Sequence, residues 1–298
     1  MNIFQDLTAV IPVYNRAAEI VRCLDSVAAQ TVRPGRVIVV DDGSTDGSAD
    51  AARQHPLHPE VLAGHHAGAA AARNVGLDAV TTCWTMFFDS DDIMLPGHIA
   101  MAQSGVTDDV DVVGWKVLAC GPDGWKKVLP FELRNILWHN MMHGTMATQR
   151  YMARTELFRR AGGWNVDMRI WLDIELGTRL LALHPHIVKV AAEAPTVHQM
   201  VGDKSITGSS WMGRVDRCTD ALDRISRSMG PSYDTIVAVK RAILAADVAR
   251  ENRDVGRAIY RGLSHRPFAA RFAYRYRLAG GRGAARIISP FVNKNPKL

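Results

Sequence analysis

Arg36–Ser48 reads RVIVVDDGSTDGS. Four of its first five residues are valine or isoleucine, and the run stops at once in two aspartates followed by Gly, Ser and Thr. The apolar part predicts a strand, Arg36–Val40, covered on both faces. The polar part is turn chemistry that leads into the N-cap of a short helix at about Ala49–Gln54. Upstream, Thr8–Val13 (TAVIPV) predicts a second buried strand that leaves into Tyr14-Asn15-Arg16. Between the two, Ala17–Gln30 predicts an amphipathic helix, with Ile20, Val21, Leu24, Val27 and Ala28 at helical spacing, and Pro34-Gly35 breaks it. Downstream, a helix is predicted over Ala69–Ala79, then a strand over Trp84–Phe88 (WTMFF) that runs into Asp89-Ser90-Asp91-Asp92.

This strand–helix alternation predicts an α/β fold with a parallel, right-handedly wound sheet. Ligands of such sheets bind at the carboxyl ends of the strands. Asp41-Asp42 and Asp89–Asp92 are therefore expected to converge on one crevice. Farther on, Val110–Leu118 and Gln149–Arg154 predict strands, Gly162-Gly163-Trp164 a turn, and Trp171–Leu183 a helix with Leu172, Leu176, Leu180 and Leu183 in register. Past Ser210 the pattern is helical, with helices expected at Met212–Ser228 and Tyr233–Glu251. The expected division is an α/β domain over 1–210, in halves of about 1–105 and 106–210. A helical, basic region over 211–298 follows.

The chain has 298 residues, 47% hydrophobic and 22% charged, which excludes a disordered polymer. No apolar run reaches the roughly 18 residues needed to span a bilayer, and MNIFQDLTAVIPVYNR lacks the pattern of a secretory leader. Four scattered cysteines without a CxxC pair fit neither a zinc site nor a disulfide framework, so a cytoplasmic setting is expected. The net charge of +6 is divided unevenly: residues 1–198 hold 17 Lys/Arg and 22 Asp/Glu, residues 199–298 hold 19 and 8. From Arg271 onward there are seven basic residues and no acidic one, interleaved with Phe272, Tyr274 and Tyr276. Such a segment fits peripheral contact with the inner face of a membrane, acidic acceptors, or a merely solvated helical face. Nucleic-acid binding is not expected, since no recognised module accompanies the charge.

Alternating carboxylates where a strand turns into a loop can place oxygens on one hard cation, Mn²⁺ or Mg²⁺, and leave room for phosphate oxygens. Taken alone, the same string fits a solvated acidic loop, and Asp-Asp-Gly fits an ordinary turn. There is no GxGxxG after the first strand and no GxxxxGK[ST], which argues against dinucleotide and P-loop folds.

Four strings in order, Ala9–Arg16 (AVIPVYNR), Val39–Ser48 (VVDDGSTDGS), Ala72–Leu77 (ARNVGL) and Phe88–Pro96 (FDSDDIMLP), resemble the family-2 glycosyltransferases of GT-A fold. The resemblance implies a Rossmann-like, mostly parallel sheet flanked by helices, here with a basic helical C-terminal extension. It implies inverting transfer of a hexosyl or N-acetylhexosaminyl unit from a nucleotide sugar, usually a UDP-sugar, to a glycan, lipid-linked or small-molecule acceptor. By position it assigns Pro12, Tyr14, Asn15, Asp42, Arg73, Asp89 and Asp91 to the nucleotide and Asp91, Asp92 and His198 to the metal. Lys204 and Ser205 would close over the diphosphate. Asp173 matches the general base of an acidic pair whose first member is replaced by Leu172, with Glu175 as runner-up. Trp171 and Trp115 are candidates for the acceptor side, against a core role for either. His66 stands where a residue facing the nucleotide is expected, against a packing role. Two other readings remain at this point: a nucleotidyltransferase, though no Gly-rich loop with a basic residue follows the first strand, and a catalytically silent sugar-nucleotide-binding protein.

Overall fold

The computed structural model describes residues 2–202 and 210–292. The chain opens with β1 (Asn2–Val13), α1 (Ala17–Ala28), β2 (Val32–Asp41), α2 (Ser48–Arg53), β3 (Glu60–Ala63), α3 (Ala69–Ala79) and β4 (Trp84–Phe87). It continues through β5 (Ile93–Met94), α4 (His98–Gln103), β6 (Val112–Gly114), β7 (Val117–Cys120), β8 (Lys126–Leu129), α5 (Ile136–His143) and β9 (Tyr151–Arg154). Then come α6 (Thr155–Arg160), α7 (Leu172–Ala182), β10 (Ile187–Lys189) and β11 (Val197–Met200). Five helices follow: α8 (Val215–Met229), α9 (Asp234–Glu251), α10 (Arg253–Arg261), α11 (Phe268–Leu278) and α12 (Ala284–Val292). Two compact units share these elements. One takes residues 2–133, 146–167 and 183–202, and the other takes 134–145, 168–182 and 210–292.

The first unit holds all strands of the described residues. Seven form a sheet in the order β10-β6-β9-β4-β1-β2-β3, and four form a smaller one, β5-β11-β7-β8. In the large sheet β1 is parallel to β2 and β4, and β2 is parallel to β3, whereas β9 runs antiparallel to β4 and β6. Leu7 through Val13 are all buried, as expected of a parallel strand covered on both faces. Register sets Val13 beside Asp41 and Asp41 beside Ala63, so the loops after β1, β2 and β3 leave from one edge. The loop after β4 joins them, since Val10 pairs with Phe87 and the Phe88 N–H donates to the Val10 carbonyl at 2.9 Å. Gly76 lets α3 lie against β1: a Cβ there would stand 2.3 Å from Val10 Cγ1.

Two expectations are corrected and one strand is new. Glu60–Ala63, which was not expected from the sequence, is an edge strand of four residues, too short and too polar at its flanks to show a period. The single strand expected over Val110–Leu118 is two, one in each sheet. The chain turns between them at Trp115, whose N–H donates to the Arg150 carbonyl at 2.9 Å. Of Gln149–Arg154 only Tyr151–Arg154 is strand, and Thr148–Arg150 forms a single tight helical turn.

In the second unit α9 is the central helix, with Val239, Ala242, Leu244, Ala245, Ala246 and Val248 buried. The amphipathic α8 turns Val215, Cys218, Leu222 and Ile225 inward. Asn252 caps α10 by accepting from the N–H groups of Asp254 and Val255. Gly256 admits the close crossing of α10 on α9: a Cβ would meet that of Ala249 at 2.4 Å. An ion pair from the half-buried Arg277 Nε to the buried Asp247 Oδ1 at 2.6 Å, and the stacked rings of Tyr260 and Tyr274, 3.9 Å apart, hold α11 in place.

Candidate active site

At the carboxyl edge of the large sheet the loops are cross-linked by side-chain to main-chain hydrogen bonds. The Asn15 N–H donates to Ser44 Oγ at 2.9 Å, while Asn15 Oδ1 accepts from the Thr45 N–H at 2.8 Å. Asn15 holds a left-handed backbone, φ +49°, which asparagine tolerates better than most residues. Asp42 is buried, and each carboxylate oxygen accepts one backbone N–H, from Ala67 at 3.1 Å and Gly68 at 2.7 Å. Gly68 has φ +95°, a conformation that favours glycine and starts α3 directly behind Asp42. His66 Nδ1 donates to the Asp42 carbonyl at 3.1 Å, and its ring lies 4.9 Å from that of the half-exposed Tyr14. Tyr14, Asn15, Asp42 and His66 thus share this edge, with Pro12 pairing within it opposite Val40.

Beside them, Asp89, Asp91 and Asp92 bring one carboxylate oxygen each within 4.8 Å of one another. Their surroundings differ. Asp89 is held on both oxygens: Arg73 donates to Oδ1 at 2.6 Å, while Gln149 Nε2 and Thr148 Oγ1 donate to Oδ2. Arg73 is itself buried, with the ring of Trp164 stacked 4.6 Å from its guanidinium carbon. Asn74 ties that tryptophan to α3, accepting from the Trp164 N–H at 2.7 Å and donating to its carbonyl at 2.8 Å. Asp91 faces Arg16, whose guanidinium lies 2.8 Å from Oδ2. Asp92 is almost wholly buried; Oδ1 accepts the Met200 N–H at 2.7 Å, and Oδ2 has no partner among the described residues.

Burial raises the Asp91 carboxyl above its ordinary value, the neighbouring Asp89 adds to the shift, and Arg16 opposes it. Asp92 is pushed well up, first by burial and then by Asp89 and Asp91. Three carboxylates with hard oxygen donors converge here, the most buried of them keeps an oxygen without a partner among the described residues, and Asp89 and Asp91 disfavour the ionisation of Asp92. That is the donor set of a site fit for one Mg²⁺ or Mn²⁺. His198 lies outside the group, in β11 opposite Ile93 of β5.

Trp115 does not face an acceptor. It is 1% exposed, donates its indole N–H to the Gln149 carbonyl at 2.7 Å and meets the buried His98 edge-on at 4.6 Å. Its role is to seat the turn that carries Thr148 and Gln149 to Asp89. Lys204 and Ser205 lie outside the described residues.

Asp173 belongs to the second unit, in the first turn of α7. The residue before the helix, Trp171, has φ +58°, a strained conformation for a large side chain, and its carbonyl accepts the Glu175 N–H at 3.0 Å. The ammonium of Lys240 stands 4.7 Å from the Trp171 ring and donates to the Met142 carbonyl at 3.4 Å. Burial lowers Lys240 to about 8. Glu175 is engaged on both oxygens by Arg179, at 2.7 and 2.6 Å, which spends the runner-up base on holding the helix.

Sequence reasoning did not single out Arg16, Asn74, Thr148 or Gln149. Asn74 adjoins Arg73 in one of the four quoted strings, and Arg16 ends another. Thr148 and Gln149 carry no local signal, because their purpose is visible only from Asp89, some sixty residues earlier.

A family model described as "Glycosyl transferase family 2" matches residues 8–165, more than half of the chain. The uncharacterized glycosyltransferase YibD of Escherichia coli K12 is 33% identical over 116 residues, 38% of this chain and 34% of that protein. The matched stretch thus spans about a third of that relative's length. A PGL/p-HBAD biosynthesis glycosyltransferase of Mycobacterium tuberculosis is 29% identical over 194 residues, 60% of this chain and 73% of that protein. Among solved structures, S. aureus TarS 1–349 in complex with UDP-GlcNAc superposes with a TM-score of 0.60 at 16% identity, covering 93% of each chain. The mannosyltransferase PcManGT of Pyrobaculum calidifontis, in complex with GDP-Man and Mn²⁺, gives 0.55 at 18% identity over 97% of this chain and 88% of its own. The fold is that of the GT-A glycosyltransferases.

Proposed function

The chain belongs to glycosyl transferase family 2, and on that premise we propose that it moves a sugar from a nucleotide sugar to an acceptor nucleophile, with inversion and with the help of Mn²⁺ or Mg²⁺. The observation that carries this reading is the group Asp89, Asp91 and Asp92 at the same sheet edge as Asp42. Asp42 keeps oxygen lone pairs for a base or ribose N–H or O–H, while Tyr14 and His66 offer ring faces beside it. Asp91 and Asp92 are the residues we assign to the cation, since both oxygens of Asp89 are engaged by protein donors. A bound divalent cation would neutralise the diphosphate as it leaves. Arg73 and Asp89 set the wall against which the diphosphate rests.

We assign the general base to Asp173. Its carboxylate takes the proton of the acceptor hydroxyl as that oxygen bonds to the anomeric carbon and the bond from that carbon to the diphosphate breaks. The electron pair of the broken bond leaves with the nucleoside diphosphate. The donor we favour is a UDP-sugar carrying a hexosyl or N-acetylhexosaminyl group. The solved neighbours support a nucleotide-sugar donor, TarS through its complex with UDP-GlcNAc and PcManGT through GDP-Man. We take the acceptor to be a glycan, a lipid-linked sugar or a small molecule.

Thermal unfolding of the full chain with UDP, GDP and their sugars, with and without MnCl₂, tests the reading. A ligand at 100 times its dissociation constant adds about 2.7 kcal/mol, so a nucleotide sugar is expected to raise the midpoint and Mn²⁺ to raise it further. No shift with any nucleotide or nucleotide sugar would overturn the assignment.

A further inference from the structure

Residues 255–298 contain ten Lys or Arg and no Asp or Glu. One arginine of the stretch, Arg277, turns inward to Asp247. The others that the structure describes are exposed, Arg271 and Arg275 on α11 among them. On α11 the exposed positions fall at helical spacing, Phe268, Arg271, Arg275 and Leu278, and therefore line one face. Phe268 is 75% exposed and Leu278 44%. The opposite face, Ala270, Ala273 and Tyr274, is buried, so α11 is anchored by its small residues and presents an apolar–basic–basic–apolar stripe outward. Beyond the Gly280-Gly281 turn, Arg282, Arg286 and the half-exposed Ile287 extend the same composition.

We propose that this face of the helical unit docks on an anionic lipid bilayer, with α11 lying in the plane of the headgroups. Two independent features of the stripe select that partner. The unbalanced positive charge complements anionic headgroups, and near such a surface each arginine strengthens binding about fivefold. The exposed phenylalanine and leucine at the two ends have nothing to gain from a soluble polyanion, but they partition into the boundary between headgroups and acyl chains. The arginines between them have stems long enough to keep their charge at phosphate level. No helix among the described residues is long and apolar enough to cross a membrane, so the contact is one of lying on the surface. The proposal stands apart from the sugar-transfer reading, since none of these residues is placed in that site.

Sedimentation of the full chain with vesicles tests it, using phosphatidylcholine alone and phosphatidylcholine with one third phosphatidylglycerol. The expected result is binding to the anionic vesicles, little to the neutral ones, and release by salt as charges are screened. Arg271→Gln and Arg275→Gln should each weaken binding about fivefold, and the pair about 25-fold. Phe268→Ser should weaken it without changing its dependence on salt. Circular dichroism melts of the variants should match wild type, because each position is exposed. Equal binding to both kinds of vesicle, or full binding by the double arginine variant, would overturn the proposal. Loss with the arginine variants but not with Phe268→Ser, with heparin displacing the protein from the vesicles, would replace the bilayer with a soluble polyanion as the partner.

Discussion

In the sheet unit most charges of the candidate site are turned inward; in the helical unit most charges of the last helices are turned outward. Arg73 is buried between Asp89 and the Trp164 ring, and Asp92 is nearly inaccessible. Arg271 and Arg275, in contrast, stand in solvent on α11. A charge held by several donors in a place poor in water has one geometry and a strong, short-range field. A solvated charge has many geometries and acts through a screened field about 10 Å deep. The first arrangement suits bond-breaking at a fixed point, the second an extended surface. Buried charge in the helical unit, Glu175 with Arg179 and Asp247 with Arg277, is paired off within the helices it holds together.

Asp173 is the substitution with most at stake for this contrast, because the proposed base lies in the helical unit. Asp173→Asn keeps the size of the side chain and removes its basicity. Transfer to the acceptor is expected to fall by about 10²–10⁴, with nucleotide-sugar binding, followed by thermal shift, unchanged. Wild-type turnover in this variant would return the chemistry wholly to the sheet unit. Asp92→Asn follows, with a loss of about 10²–10³ in rate and weaker Mn²⁺ binding by calorimetry. Because the charge removed was buried beside two others, the apo protein should melt no lower than wild type. A marked destabilisation would mean that Asp92 is a structural acid.

Acid sensitivity is a third way to separate the two regions. His98, wholly buried in α4 with Nδ1 2.9 Å from Thr196 Oγ1, is lowered by burial from 6.5 to about 3. The unfolded chain takes up this proton near the ordinary value and the folded chain does not. The contribution is therefore complete above pH 6.5 and is lost as the pH falls toward 3, at about 1.4 kcal/mol per unit. Urea melts of wild type between pH 7 and 4 should show this slope, and His98→Gln should flatten it. A slope unchanged by His98→Gln would assign the pH dependence to other titrating groups.

How much of this was legible in the sequence depended on the range over which each residue is satisfied. Thr8–Val13, Arg36–Val40 and the helix Ala69–Ala79 announce themselves by period, and their turns by Asp, Gly and Ser, because local chemistry decides them. Asp42, Asp89, Asp91 and Asp92 followed, since ligands of such sheets gather where strands end. Trp115 shows the limit. An aromatic beside a predicted strand reads equally well as an acceptor platform or as core, and what decided between them was a carbonyl at Gln149, which no window around Trp115 contains. The same holds for the partners of Asp89 and for Glu60–Ala63, a strand made by its neighbour β2 rather than by its own residues.

The smallest effect tests whether the inward-turned charges of the sheet unit are complete without a cation. Arg16 is the more exposed member of its pair, and its guanidinium engages one oxygen of Asp91, the carboxylate assigned to the metal ion. The two cations would compete for that carboxylate, so Arg16→Gln should tighten Mn²⁺ binding to the nucleotide-free protein. A partly solvated pair of this kind is worth about 0–1 kcal/mol, so the gain in affinity is expected to be no more than about fivefold. Calorimetric titration of MnCl₂ into wild type and Arg16→Gln measures it directly. Weaker binding in the variant would mean that Arg16 organises Asp91 for the metal instead of competing with it. The cluster would then resemble Asp89, whose arginine fixes a carboxylate in place, more than an anionic site covered by a movable counter-charge.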